Sequence, residues 1–415
     1  MWIGLGIWPR ASPFRRCIES GRASRCVQAI ILAAGAGRRM APLTTRILKP
    51  MLPLAGVPLL VRQIGWLRDA GCDEVVVLLP PGREAPAVDG VHVVARHQKD
   101  PDGTGGAVAA AADGGDDAVV LMGDAVLDAA SVRALVDAEG PAAVVHDVPE
   151  RAGLGAVEVR AGHVVAIEEK ARDGPGAVWT GACRLTADAV RRCTELPASS
   201  RGERELTDVL APLKPKAIVA NHWFETGTPW AYLEAHEQMM GRLFPGDGPG
   251  VIEPGVHVHG RLHVAHGACV RSGTYIEGDV IVGPGADVGP NAFLRGAVDV
   301  GAGCRIGAGT EIKNSILLAG AKAPHQNYVG DSILGHDANL GAGARIANLK
   351  LNGRAVGVRW DGTMVDTRRR KFGAVVGDGA AIGINAGLQP GTVVGPGRRI
   401  GAGRVVSGWV DEDCW

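Results

Sequence analysis

The sequence predicts an α/β unit built on a mostly parallel sheet, followed by a parallel β-helix. Three observations carry that prediction: alternating apolar strands and helical patterns up to about Met240, a strict six-residue period after Val251, and a Gly/Pro-rich break, "GRLFPGDGPG", between them. A chain of 415 residues also exceeds the size at which one core usually stays single.

In the first half, "VQAIILAA", "PLLVRQIGWLRDAG", "EVVVLLP", "HVVAR", "GAVAAAAD" and "DAVVLMGD" follow one another as apolar runs and helical patterns. Strand then helix, repeated, gives a Rossmann-like sheet covered on both faces, with ligands bound beyond the carboxyl ends of its strands. "GLGAVEV" and "HVVAIEEK" read as antiparallel additions, and "PWAYLEAHEQMM" as a closing helix opened by Pro229.

In the second half, aliphatic residues recur every six positions from Ile252 through Val258, Val264, Val270 and onward to Leu318. Small residues such as Ala268, Thr274, Ala286, Ala292, Cys304 and Thr310 stand four positions after them, as a tight coil with stacked inward side chains requires. The register resumes at Leu334, Leu340 and Ile346, and again from Val376 to Val406. The fold class expected is therefore α/β, a Rossmann-like mostly parallel domain followed by a left-handed parallel β-helix of hexapeptide repeats. Two interruptions, about 319–333 and 347–375, are expected as loops leaving the coil, where function usually sits.

The expected division is a disordered leader at 1–26, a first domain at 27–240, a linker at 241–250 and the coil at 251–410. With 44 basic and 44 acidic residues the formal charge is +0, which argues against nucleic-acid binding through bulk electrostatics. Eight scattered cysteines with no metal-ligand spacing read as reduced cytosolic thiols, so a cytoplasmic location is expected. No apolar run reaches the length of a membrane span.

The stretch "AIILAAGAGRRM" leads from a strand into Gly35 and Gly37, but the third glycine of a dinucleotide fingerprint would fall at Met40. Amides exposed after a strand can cradle a polyphosphate, and Arg39 and Lys49 add positive charge. The order "LAAGAGRRM", "LKPMLP", "QKDPDGTGGA", "LMGDAV", "GAVEV", "EEK" and "WFETGTPWAYLEA" resembles the sugar-1-phosphate nucleotidyltransferases. "EIKNSILLAGAKAPHQNYVGDSILGHDANLGAGARIANL" resembles the acetyltransferase loop of the bifunctional uridylyltransferase/N-acetyltransferases of that group, in their long archaeal-type branch.

The resemblance implies roles by position. Leu32, Gly35, Gly37, Gln98, Gly103 and Thr104 would bind the nucleotide, Arg39 and Lys49 would act on the triphosphate and sugar phosphate, and Asp124 with Glu225 would hold Mg²⁺. Gly155, Glu169 and Lys170 would face the sugar. In the coil His325 would be the general base, Lys313, Lys322, Tyr328 and Asn339 would bind the amino-sugar phosphate, and Asn348 and Lys371 would meet acetyl-CoA. The partners implied are a sugar-1-phosphate, UTP or dTTP, and acetyl-CoA, with acyl-transfer sites between the subunits of a homotrimer.

The chain departs from the pattern at Arg38, Leu48, Trp179 and Glu225, where Thr/Ser, Pro, Asn and Asp are usual. The expected reaction joins N-acetylglucosamine-1-phosphate to UMP and acetylates glucosamine-1-phosphate. The alternatives are a glucose-1-phosphate thymidylyl- or uridylyltransferase with a structural coil, and a non-catalytic protein of the same plan.

Overall fold

The computed structural model describes residues 27–151, 153–169, 174–199, 202–360 and 362–415, so the expected leader at 1–26 and Lys170 lie outside the described residues. The first half is built on a nine-stranded sheet. His92–His97, Glu74–Leu79, Val27–Leu32 and Asp117–Met122 run parallel, and Gly176–Leu185 joins antiparallel to the last of these. Ala156–Arg160 and His163–Glu168 form the expected antiparallel pair at the far edge.

Parallel strands covered on both faces should be apolar, and the three inner ones are buried through their middle residues, whereas the edge strand His92–His97 carries exposed polar residues. Within Val27–Leu32, Ala29 and Ile31 pack on one side with Leu60, Ile64 and Leu67 of the helix Leu59–Asp69. Ile30 packs on the other side with Ala107, Val108 and Ala111 of the helix Thr104–Ala111. Successive Cβ atoms of a strand point to opposite faces, so one six-residue strand anchors both layers. Pro229 opens the closing helix, Pro229–Leu243, whose first turn is capped by Thr228 accepting from the Ala231 amide at 3.4 Å.

From Val251 on, short strands pair in parallel with strands eighteen residues later: Ile252 with Val270, Val288 and Ile306; Val258 with Ile276, Leu294 and Ile312; Val264 with Val282 and Val300. Three hexapeptides therefore make one coil, and the parallel sheets are consistent with a β-helix. The predicted small positions Ala268, Thr274, Ala286, Ala292, Cys304 and Thr310 are all buried. Ile252 and Val258, at the open end of the stack, are exposed.

The first predicted interruption is not a loop. Val300 pairs with Leu317 and Leu317 with Leu334, each seventeen residues on, and Ala323 and Val329 fill the inner positions between them. Each of two coils drops one residue, which moves the inner position from Leu318 to Leu317. The small Ala323 then conceals the period from a search for branched residues. Leu318 is buried outside the coil, against the first half. The second interruption is a true excursion. Leu334 pairs next with Val376, and the intervening chain makes an antiparallel hairpin, Gly357–Trp360 with Thr363–Asp366.

The two halves share a core. Met40, Leu43, Leu52, Tyr232 and Leu233 pack with coil-half residues including Ile316, Leu318, Val356, Phe372 and Val375. Thr45 Oγ1 donates to Asp378 at 3.1 Å, Arg46 pairs with Asp337 at 2.7 Å, and the Gly56 amide donates to the buried Asp299 carboxylate at 2.8 Å. The excursion and the expected binding turn are thereby held beside each other.

Candidate active sites

The chain leaves the strand Val27–Leu32 in a tight turn that ends at Gly37, which has φ +61 and precedes the one-turn helix Arg38–Met40. A Cβ at Gly37 would sit 3.3 Å from Lys49 Cβ and 3.4 Å from Thr44 Cγ2, so an L residue there would be strained and crowded. A Cβ at Gly35 would meet nothing within 4 Å, which leaves its backbone bare toward open space.

Lys49 begins the turn Lys49–Met51, fixed by Pro50 and packed beneath the glycine turn. Its side chain is 10% exposed, and its ammonium lies 2.5 Å from Asp124 Oδ2. Asp124 reaches this point because Gly123 passes close to the first strand. A Cβ there would lie 2.8 Å from the Leu32 carbonyl oxygen. Burial alone would raise the Asp124 carboxyl, but the Lys49 cation beside it, with Arg39 farther out, holds it below the usual carboxylate range.

Glu225 ends the strand Trp223–Glu225, which pairs antiparallel with Ala125–Leu127 and places Glu225 opposite Ala125. Thr226 donates its hydroxyl to the Asp124 carbonyl at 3.1 Å, tying the two carboxylate-bearing strands together. Arg39 pairs with Glu225 at 3.2 Å. The two predicted metal ligands thus lie at one spot, each carboxylate beside a cation. Two neighbouring carboxylates, with phosphate oxygens completing the shell, are the donor set that Mg²⁺ favours. Among the described residues no three His, Cys, Asp or Glu side chains gather to hold a metal without such help.

Across the cleft, Gln98 follows the strand His92–His97 and donates to Asp102 Oδ1 at 3.0 Å. Gly103 has φ +105, and a Cβ there would lie 2.5 Å from the Arg204 carbonyl oxygen. Thr104 accepts from the Leu206 amide at 2.9 Å, and the Arg204 guanidinium grips the Asp102 carboxylate. Leu32, Gly35, Gly37, Arg39, Lys49, Gln98, Gly103, Thr104 and Asp124 line one cavity of about 450 Å³. Asp102 and Arg204, which brace its far wall, were not predicted, because an ion pair between residues so distant in sequence leaves no local pattern.

The predicted sugar residues gather elsewhere on the sheet. Glu168 pairs with Ala156, which brings Glu169 and Gly155 to one end of the strand pair. The Trp179 amide donates to the Gly155 carbonyl at 2.8 Å, while its indole packs against the core and donates to the Ala182 carbonyl at 3.0 Å. The residue that departs most from the expected pattern therefore has a packing role.

In the coil, Lys313 Nζ lies 2.7 Å from Asp331 Oδ2, and Asn314 donates to Asp331 Oδ1 at 3.0 Å. Asn348 donates to the same carboxylate and is itself buried. The Tyr328 hydroxyl stands beside Gly330, where a Cβ would lie 2.7 Å from it. Burial, then Glu311, push its pKa up. Lys322 and Asn339 are register partners in the other parallel sheet and are both exposed.

His325 is exposed at the corner between Lys322–Ala323 and Tyr328–Gly330. That corner is fixed by the buried Asn327, whose Oδ1 accepts from the His325 amide at 3.1 Å and whose Nδ2 donates to the Gly341 carbonyl at 2.7 Å. Asn327 was not predicted. Lys371 is exposed and bridges to Leu349, whereas Arg369 of the same basic run pairs with Glu237 of the closing helix at 2.9 Å. Part of "RRRK" therefore joins the two halves.

A nucleotide-sized cleft at the carboxyl ends of parallel strands, with paired carboxylates and two cations, defines a nucleoside-triphosphate transferase half. The MobA-like NTP transferase domain matches residues 29–218, and the GMPPB C-terminal domain matches 276–368. The bifunctional sugar-1-phosphate nucleotidylyltransferase/acetyltransferase of Sulfurisphaera tokodaii is 31% identical, over 88% of this chain and 93% of its own length. The bifunctional protein GlmU of Methanocaldococcus jannaschii is 32% identical over 88% and 91%, and that of Methanococcus maripaludis 37% over 88% and 90%. The chain belongs to the bifunctional sugar-1-phosphate nucleotidylyltransferase/acetyltransferase family of enzymes.

Proposed function

We propose that the first half, residues 27–240, joins a sugar-1-phosphate to a pyrimidine nucleotide, with N-acetylglucosamine-1-phosphate and UTP as the best-fitting pair. The second half, residues 251–410, would make that sugar phosphate from glucosamine-1-phosphate and acetyl-CoA. The observation that carries this reading is the convergence of the glycine turn, Arg39, Lys49 and Asp124 on one cavity, with Glu225 held beside it through its ion pair with Arg39.

In nucleotidyl transfer a sugar-phosphate oxygen bonds to the α-phosphorus as the bond to the pyrophosphate oxygen breaks. The protein's task is to position two anions and neutralise their charge. The amides after Leu32, including those of Gly35 and Gly37, face the triphosphate with Arg39. Lys49 exchanges part of its contact with Asp124 for the incoming phosphate. Gln98 and Gly103 read the base edge beside Thr104, and Gly155, Glu169 and Lys170 face the sugar. Asp124 and Glu225 would hold Mg²⁺, which supplies further charge neutralisation at the phosphates.

In acetyl transfer the ammonium of the amino sugar gives a proton to the His325 imidazole. The amine then bonds to the thioester carbonyl carbon as the carbon–sulfur bond breaks, and the departing thiolate of coenzyme A takes up the second proton that the nitrogen sheds to become an amide. Lys313, Tyr328, Lys322 and Asn339 would hold the sugar phosphate, with Asn348 and Lys371 near the cosubstrate. In one chain these candidates stand in two different sheets, which supports a site completed by a second copy. We take the assembly to be a homotrimer of left-handed coils, linked through 241–250 to the first halves, in the cytoplasm. Among the described residues no helix is long and apolar enough to cross a membrane.

The test is purified protein with a panel of sugar-1-phosphates, UTP or dTTP, and Mg²⁺, monitored for pyrophosphate, alongside thiol release from acetyl-CoA with glucosamine-1-phosphate. Pyrophosphate from N-acetylglucosamine-1-phosphate and UTP is expected. A protein that releases none with any sugar-1-phosphate is not a nucleotidyltransferase.

A further inference from the structure

A second cavity, of about 660 Å³, opens on the other side of the Arg38–Met40 turn. Its wall combines Arg38 and Arg39 from the first half, Arg359 and Trp360 from the hairpin that interrupts the coil, and Trp409 from the last coil strand. Arg39 and Arg38 line this cavity and the nucleotide cleft alike, so the two spaces are divided only by that turn.

The charge in this cavity is lopsided. Three guanidinium groups meet there, and the carboxylate paired with any of them among the described residues is Glu225, with Arg39. Arg38 has no ion pair among the described residues, and Arg359 meets the Gly362 carbonyl at 3.5 Å. Like charges brought together without counter-charges oppose folding, and the arrangement is relieved by a multivalent anion. Guanidinium forks match phosphate oxygens two at a time.

The aromatic wall is packed edge to face. Trp360 stands edge-on to Trp230 at 5.8 Å and to Trp409 at 5.0 Å, which locks the hairpin to the closing helix and to the coil end. Arg359 precedes Trp360 in that hairpin strand and stands exposed at the cavity.

We propose that this junction cavity is a second polyphosphate site, taking inorganic pyrophosphate or the polyphosphate tail of a free nucleotide, and formed jointly by both halves of the chain. Bound polyphosphate would bridge Arg359 to Arg38 and Arg39, linking the coil to the turn that also borders the nucleotide cleft. Arg39 borders both spaces, whereas Arg359, Trp360 and Trp409 line the junction cavity and not the cleft, so changes at those three test it apart from the proposed reaction.

The test is calorimetric titration of the full-length protein with inorganic pyrophosphate, without Mg²⁺ or sugar phosphate. Two classes of site are expected. Lys49→Gln, which touches the cleft and not the junction cavity, should remove one class. Arg359→Glu should weaken the other roughly tenfold or more, as loss of a charge-assisted contact predicts. Arg359→Gln, which removes the charge without reversing it, provides the same readout should Arg359→Glu not fold. Titration with UTP separates the sources: quenching of tryptophan fluorescence that Trp360→Phe abolishes identifies a nucleotide, and pyrophosphate binding without such quenching identifies the inorganic anion. A single class of site in the native protein, or two classes that both survive Arg359→Glu and Arg359→Gln, overturns the proposal.

Discussion

The two halves of this chain assemble their candidate sites in opposite ways. The first half gathers nucleotide, phosphate and metal candidates from four separated segments into one cavity of a single chain. The coil places Lys313 and Tyr328 on one sheet, with Asn348 beyond the end of a strand, and Lys322 and Asn339 on another sheet. A doubly covered sheet brings strand ends together at one edge, so the loops that follow meet there. A solenoid turns its faces apart, so residues on different faces of one chain do not converge as strand ends do.

The largest effect should therefore come from the self-contained site. Lys49→Gln leaves Asp124 without its cation and removes charge from where it must neutralise phosphate. Pyrophosphate release should fall by roughly 10²- to 10³-fold or more in kcat. Thiol release from acetyl-CoA should stay at its native rate. A parallel loss of both rates would contradict the separation of the halves.

His325→Ala tests the same separation from the other side. Removal of a general base costs about 10²- to 10⁴-fold, here read as thiol release with glucosamine-1-phosphate. Pyrophosphate release with ready-made N-acetylglucosamine-1-phosphate should be unchanged. Asn327→Ala should lower thiol release less, because the imidazole remains but its corner loses the bonds to the His325 amide and the Gly341 carbonyl. A native acetyl-transfer rate in His325→Ala would remove the proposed base.

What was legible in the sequence followed from local chemistry. Apolar runs mark strands buried on both faces. A glycine forced to positive φ marks the turn at Gly37, and six-residue spacing marks the coil. What was not legible depends on distant segments meeting. The Asp102–Arg204 grip, the Trp230–Trp360–Trp409 wall and the Arg369–Glu237 pair each join residues with no shared pattern. The two seventeen-residue coils escaped because dropping one residue changes the phase of a period without leaving a break in composition. The candidate nucleotide residues were nearly all placed together, since strand ends gather them, whereas the coil's candidates were predicted as one loop and lie along two faces.

The junction between the halves can be weakened or sharpened by smaller changes. Phe372 is fully buried, edge-on to Trp230 at 6.3 Å. Phe372→Ala should destabilise the chain by about 3–5 kcal/mol, read as a lower denaturant midpoint. If the halves fold as one unit across this core, a single transition moves. If only the coil transition moves, the shared core does not couple them.

Asp299 gives the most delicate test, through pH. Burial pushes its carboxyl up from 3.8 to about 6, against the lowering influence of the Gly56 amide and Arg62. The folded chain then keeps this proton to higher pH than the unfolded chain does. Stability contributed by the group is full below about pH 4 and falls as pH rises through about 6, by on the order of 2 kcal/mol. Asp299→Asn retains an oxygen to accept from the Gly56 amide and has no proton to lose. Thermal melting of both proteins from pH 4 to pH 7 should show the native chain losing ground to the Asn variant across that window. Parallel curves would mean that Asp299 is ionised in the folded protein throughout, and that Arg62 outweighs burial at the point where the two halves meet.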